Sequence, residues 1–288
     1  VLVTGESGTG KELIARALHD VSGRSGPFVA VNVAGLDEGL FSDALFGHVK
    51  GAFTGAATRR SGLVEQAAEG TLFLDEIGEL DQRSQVKLLR LLQEREYYPL
   101  GSDRPHISRA RVVVATNQDL EYLSESGQFR NDLYYRLATH HVAVPPLRQR
   151  LGDLPLLVAR LLDRAAQALG KPTPTPPPEL LDVLRAYHFP GNVRELESMI
   201  FDAVSRHESR KLSTEPFRAM IRKRRAIEPG SETAGQYPLS FGQTLPTLKE
   251  AGDLLTQEAM RRSGGNQRVA AELLGITRQA LNKRLRLK

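Results

Sequence analysis

Near the start of the chain, the residues Gly5-Glu6-Ser7-Gly8-Thr9-Gly10-Lys11 have types and spacing suited to one chemistry. They fit the pattern G-x-x-x-x-G-K, in which glycines let backbone N–H groups wrap phosphate oxygens at a helix N-terminus. Lys11 is expected to neutralise the β and γ oxygens. The next residue is Glu12, where this pattern usually has Ser or Thr. A hydroxyl ligand for Mg²⁺ is therefore absent there, and the metal must lean on other groups. Asp75-Glu76 supplies them, because it closes the apolar run "TLFLDE" and places two carboxylates at the end of a strand. Asp75 is expected to hold Mg²⁺ through water, and Glu76 to polarise the attacking water. Alone, the glycines could be a turn and the two acids a cap. Together they point to hydrolysis of a nucleoside triphosphate.

Such groups need a sheet edge to hold them. Five β-branched or apolar runs punctuate the first half: "VLVT", "FVAVNV", "TLFLDE", "RVVVAT" and "HHVAV". Amphipathic stretches such as "KELIARALHD" and "SQVKLLRLLQER" lie between several of them. That alternation predicts βαβ units around a parallel sheet. After "VPPLRQR" the pattern turns helical, with helices expected over 153–169, 178–187 and 192–206 and the Pro-rich "KPTPTPPP" connecting the first two. The stretch 222–247 has few periodic apolar positions and many breakers, and reads as a linker. The expected division is an α/β core over 1–152, a helical subdomain over 153–225, a linker over 226–247 and a small all-α domain over 248–288.

Composition narrows the setting. The chain has 288 residues, 40% of them hydrophobic, and no cysteine. Disulfides, thiolate zinc sites and cysteine nucleophiles are excluded, and a reducing compartment, the cytoplasm, is the expectation. No apolar run approaches the roughly 18 residues of a membrane span. The chain opens inside a strand without an initiator Met or signal peptide, as a fragment lacking its N-terminal part would. Net charge is +5, but residues 261–288 carry eight Lys/Arg against one Glu, leaving −2 on the remainder. A basic end on a near-neutral body suggests nucleic acid.

That end, "GGNQRVAAELLGITRQALNKRLRLK", reads as helix, turn at Gly275, helix. Val269, Ala270, Leu273 and Leu274 form one apolar face, and Ile276, Leu281 and Leu285 pack against it, with Thr277 as N-cap. Arg278, Gln279, Asn282, Lys283 and Arg286 are left facing outward, where a second helix in a major groove would meet base edges and phosphates. A helical hairpin with a charged face is the plainer alternative.

One further stretch fits neither core nor linker. In "KGAFTGAATRR" Phe53 and Thr54 stand between Gly51-Ala52 and Gly55-Ala56. A lone aromatic on so bare a stem anchors little core and suits contact with a partner.

Together, "GESGTGKE", "GAFTGA", "TLFLDEIGEL", "FRNDLYYRL" and "PGNVREL" resemble the central AAA+ domain of sigma-54-dependent transcription activators, the bacterial enhancer-binding proteins. The resemblance spans roughly residues 1–225. From about 248 onward the chain is similar to the C-terminal domain of the factor for inversion stimulation. Glu12 is normal for the activators, and the part that is missing is their segment before the first strand, which helps seat adenine. The resemblance implies an AAA+ P-loop core with a parallel sheet, a helical lid and a helix-turn-helix. It also implies ATP and Mg²⁺ as cofactors, a ring that is normally a hexamer, the sigma-54 RNA polymerase holoenzyme and double-stranded enhancer DNA as partners, and no membrane.

Further roles follow from it. Residues 5–12, Asp75 and Arg194, the last from the lid, would hold the nucleotide. Asn32 would bind Glu76 and switch it between engaged and idle, and Thr116 and Asn117 would sense the γ-phosphate. Arg130 and Arg136 would reach the neighbouring subunit's nucleotide. Gly51, Ala52, Phe53, Thr54, Gly55 and Ala56 would touch sigma-54, and Thr277, Arg278, Gln279, Asn282 and Lys283 would bind DNA. Asn32 and Asn117 could instead form turns, and the arginines could be surface cations. Two rival readings are an AAA+ remodeller unrelated to sigma-54, and a DNA-binding regulator with a decayed ATPase. The signal and the target genes cannot be read from the residues.

Overall fold

The computed structural model describes residues 1–207, 212–227 and 247–286. The chain divides into two compact units, Val1–Pro146 and Leu147–Lys288.

In the first unit, all five expected strands form: β1 (Leu2–Thr4), β2 (Phe28–Asn32), β3 (Thr71–Asp75), β4 (Arg111–Thr116) and β5 (His141–Ala143). They make one parallel sheet in the order β2-β3-β4-β1-β5. Alternate residues serve opposite faces, as a period of two requires. Leu2, Leu72, Leu74 and Val114 enter one core with Phe41 and Leu45 of α2 (Glu38–Phe46) and Leu88 and Leu91 of α3 (Gln82–Gln93). Val3, Phe73, Val113 and Ala115 enter another with Ala15 of α1 (Lys11–Asp20). Covered on both sides, β3 and β4 read as continuous apolar runs instead of alternating ones.

Register lines up the strand ends. Asn32 pairs with Asp75, Leu74 with Val114 and Thr4 with Thr116. The C-terminal edge therefore gathers Thr4, Asn32, Asp75 and Thr116. This is the edge at which open parallel sheets take their ligands.

The second unit is helical. α5 (Leu154–Ala168), α6 (Glu179–Arg185) and α7 (Asn192–Ser205) match the expected helices within two residues at each end. α8 (Glu215–Ile227) corrects the sequence reading, because it occupies 222–227, which read as linker. Its buried stripe is short, Phe217 and Ile221, and the rest of its last two turns is largely charged. Pro216 falls in its first turn, where a missing N–H costs nothing. The unit boundary is also earlier than the expected 152/153, because Leu147 is fully buried in the helical core and donates its N–H to Asn192 Oδ1 at 2.8 Å. Residues 228–246 of the expected linker lie outside the described residues.

The chain ends in α9 (Leu248–Arg262), α10 (Gln267–Leu273) and α11 (Arg278–Arg286) around Ala259, Ala270, Ala271 and Leu281. Each start is capped. Thr247 and Glu250 form a reciprocal capping box, Asn266 accepts from Arg268 and Val269, and Thr277 Oγ1 accepts from the Ala280 N–H at 3.2 Å. Gly275, at φ +67°, makes the turn between α10 and α11. Among the described residues, no helix is long and apolar enough to cross a membrane.

Candidate active site and its projecting loop

The loop between β1 and α1 turns on Gly5, Gly8 and Gly10, all at positive φ. Gly5 is the most constrained, since a Cβ there would lie 2.7 Å from the carbonyl oxygen of Val144. Gly5→Ala must shift backbone just beyond β5, and is expected to cost about 1–3 kcal/mol, read as a lowered urea midpoint. The Gly5 N–H donates to Thr116 O at 3.3 Å, so the loop is tied to the end of β4. Lys11 is buried, and its Nζ lies 2.9 Å from Gly5 O, inside the curl of the loop. Three glycines wrapped round a buried ammonium fit a polyphosphate. Glu12 is exposed and turned away, bonded to Arg16 one turn on at 2.8 Å.

At the end of β3, Asp75 and Glu76 are half-buried. Glu76 has left-handed backbone (φ 57°, ψ 46°), unusual for a residue with a side chain, and its N–H donates to Asp75 Oδ1 at 3.0 Å. The turn sends the Glu76 carboxylate across to β4, where Oε2 accepts from the Asn117 N–H at 3.3 Å. Thr116 is buried, and its Oγ1 accepts from the Gln118 N–H. Asn32 takes the turn-forming arrangement here. Its Oδ1 accepts from the Ala34 N–H at 2.8 Å, so it forms a turn and makes no bond to Glu76.

A hard divalent cation suits this donor set. The described residues hold no cluster of three or more His, Asp or Glu that could cage a metal. Mg²⁺ does not need one, because it typically takes one or two carboxylates and completes its shell with phosphates and water.

Arg130 precedes α4 (Asn131–Ala138) at its N-cap and Arg136 lies in its last turn, both exposed. The Arg130 guanidinium grips Asp132 through two bonds of 3.0 and 2.7 Å. Those bonds hold the Asp132 carboxyl below its ordinary value. The Arg130 N–H donates to Gln85 Oε1, and Arg136 donates to Leu92 O near the end of α3. Arg194 lies exposed on the first turn of α7 in the second unit. That turn is fixed by groups the sequence reading passed over. Asn192, buried at φ 52°, anchors Leu147, and buried Glu195 accepts from Tyr187 Oη and the Gly191 N–H, each at 2.8 Å.

"GAFTGA" lies in the loop of a hairpin whose strands are Gly47–His48 and Arg60–Ser61. Gly51 and Gly55 take φ +84° and +105°, and Phe53 is 47% exposed. Its ring makes an edge contact with the ring of His48, 5.0 Å between centroids. Here too the sequence hid a part. Asp43, near the end of α2, binds His48 Nδ1 at 2.5 Å and Arg60 Nη1 at 2.6 Å, clamping both strands of the stem. Ala56 tucks in, buried, and its carbonyl closes the loop onto the Gly51 N–H.

At the other end of the chain, Thr277, Arg278, Gln279 and Lys283 are exposed and Asn282 is half-buried. α11 therefore presents most of the expected set to solvent.

Comparison with known proteins adds three family matches: the sigma-54 interaction domain over residues 1–143, the AAA+ ATPase lid domain over 148–234, and the bacterial regulatory proteins of the Fis family over 255–286. The chain is 42% identical to the DNA-binding transcriptional regulator NtrC of Rhizobium meliloti, covering 99% of this chain and 64% of the relative. It is 42% identical to the regulatory protein AtoC of Escherichia coli, covering 99% of this chain and 61% of the relative. A crystal structure of NtrX from Brucella abortus in complex with ADP superposes with a TM-score of 0.72 at 31% identity, covering 99% of this chain and 63% of that one. The chain thus spans a little under two thirds of these proteins.

Proposed function

The chain belongs to the sigma-54-interacting AAA+ transcription activators, and on that premise we propose that it hydrolyses ATP to remodel the sigma-54 RNA polymerase at a promoter while bound to enhancer DNA. One observation carries the proposal. A single sheet edge brings the phosphate loop, Asp75, Glu76 and Thr116 together, and the same unit holds Phe53 out on a clamped hairpin. Residues 5–11 would cradle the triphosphate, with Lys11 moving from Gly5 O to a phosphate oxygen. Glu76 would orient and deprotonate the attacking water once the weak bond to the Asn117 N–H lets go. Asp75 would hold Mg²⁺, which when bound neutralises charge on the phosphates. Arg194 would reach the phosphates from the lid. The fully intact set Lys11, Asp75, Glu76 and Arg194 argues against a decayed ATPase, and the presence of "GAFTGA" against a remodeller of unrelated targets.

We assign Arg130 and Arg136 to the nucleotide of the next subunit in a ring, a hexamer as in the family, working in the cytoplasm. The magnitudes allow it. An exposed pair such as Arg130–Asp132 is worth about 0–1 kcal/mol, while an arginine finger contributes on the order of 10³–10⁵ in rate. Breaking the pair is a small cost against that gain.

Assembly and function are tested together. ATPase activity per subunit should rise with protein concentration through the assembly range. Mixing Arg130→Ala with Glu76→Gln protein should recover part of the activity, because some interfaces then combine an intact arginine with an intact glutamate. In the same preparation, permanganate footprinting should detect opening of a sigma-54 promoter that depends on ATP. Concentration-independent turnover by a demonstrated monomer would overturn the assignment in trans, and promoter opening by polymerase alone would overturn the function.

A further inference from the structure

The helix-turn-helix is seated on the lid. Arg218 of α8 donates to Glu272 of α10 at 2.8 Å, and the Arg218 side chain is only 12% exposed. Beside this pair, Val183 and Ile221 of the lid and Val269 and Leu273 of α10 line a common cavity of about 190 Å³. A second cavity, about 440 Å³, has Glu179 and Thr214 of the lid on one side and Gln267, Arg268 and Arg278 on the other. The module therefore meets the lid with the first helix of its motif and with the leading residue of the second.

Of the five residues expected to meet DNA, Arg278 lines this contact, and α10 is the helix that would cross the DNA backbone. A recognition helix enters a major groove about 12 Å wide, with the phosphate walls passing on both sides of it. With the lid beside Arg278, a phosphate wall on that side of α11 would meet protein. We propose that the lid carries a docking surface for the chain's own helix-turn-helix, and that lid and DNA compete for the module. The proposal rests on α11 being the DNA-reading helix. Nineteen residues, 228–246, separate α8 from Thr247. At up to about 3.5 Å each they are enough for the module to leave. Because the lid also carries Arg194, release would link DNA occupancy to the nucleotide-binding subdomain.

The test uses the whole chain and a short duplex of arbitrary sequence. Arg218→Glu removes a positive charge, so simple electrostatics predicts weaker binding. Loss of the docked state predicts the opposite, tighter binding by about 5- to 150-fold, the usual range of coupling between sites. The exchange Arg218→Glu with Glu272→Arg should return affinity toward that of the parent. Weaker binding by Arg218→Glu with a shallower salt dependence would make Arg218 a phosphate contact and overturn competition, as would unchanged binding. A second arm uses the absence of cysteine. With Arg222→Cys and Leu273→Cys, which line the smaller cavity, a short bis-maleimide should bridge lid and module, and the bridged protein should lose the duplex. No bridging overturns docking, and full binding by bridged protein overturns competition. If neither parent nor Arg218→Glu holds any duplex while bridging proceeds, the DNA-reading role of α11 has failed, and competition with it.

Discussion

Glu76→Gln should bind ATP about as tightly as the parent and hydrolyse it about 100- to 10,000-fold more slowly, the range supplied by one positioned acid–base group. The amide is nearly the same size, and the cradle made by residues 5–11 does not involve it. Only the ability to accept a proton from water is lost. Backbone geometry at position 76 is unchanged, so the left-handed turn and its bond to Asp75 should survive. Lys11→Ala should separate the two steps by weakening nucleotide binding itself. Single-turnover hydrolysis with a fluorescent ATP analogue distinguishes them. Near-normal turnover in Glu76→Gln would remove Glu76 from the mechanism.

Phe53→Ala should leave ATPase activity near normal and abolish promoter opening. Within the domain the ring has little to lose. It is half exposed and makes one edge contact with His48, worth about 0.5–1.5 kcal/mol at most. The hairpin stem is held by Asp43, His48 and Arg60, none of which needs the ring for those bonds. At an interface the balance reverses, because a buried aromatic anchor typically contributes 2 kcal/mol or more, about 30-fold or greater in affinity. Thr54→Ala, which removes one hydroxyl, should show the same defect more mildly. The measurement is capture of sigma-54 holoenzyme with ADP–aluminium fluoride, beside circular dichroism melting. A melted domain, or normal activation, would show that the loop is not the contacting element.

The parts that the residues announced are those governed by local chemistry. Five β-branched runs became five strands, and the phosphate loop lies between β1 and α1 as its glycines required. Thr277 and Gly275 marked the turn between the last two helices. What stayed hidden depends on distant partners. α8 is held by Phe217 and Ile221 against the lid core, a stripe too short to show as periodicity among so many charges. Asp43 and Arg60 are seventeen positions apart and meet only once the hairpin closes. Asn32 could be read as a partner of Glu76 or as a turn former, and its carbonyl oxygen lies on a backbone N–H two residues away, a competition Asn enters wherever a strand ends. The proposed reach of Arg130 and Arg136 into a second copy is likewise something no single chain encodes locally.

The aligned strand ends bear on which changes of length the chain can accept. Asn32, Asp75 and Thr116 share an edge only while β2, β3 and β4 keep their residue counts. Inside these strands one apolar residue can replace another of similar volume for about 1.5 kcal/mol or less. Adding or deleting a single residue is different in kind, because it turns every later side chain to the opposite face. In β3 an insertion would push Leu74 into the place of Asp75 opposite Asn32, and a deletion would put Glu76 there. The connecting loops pay only slowly growing entropy for extra residues. Divergence among descendants of this chain should therefore be free in spelling within the strands and free in length between them, with the count of residues in β3 and β4 as the quantity held fixed.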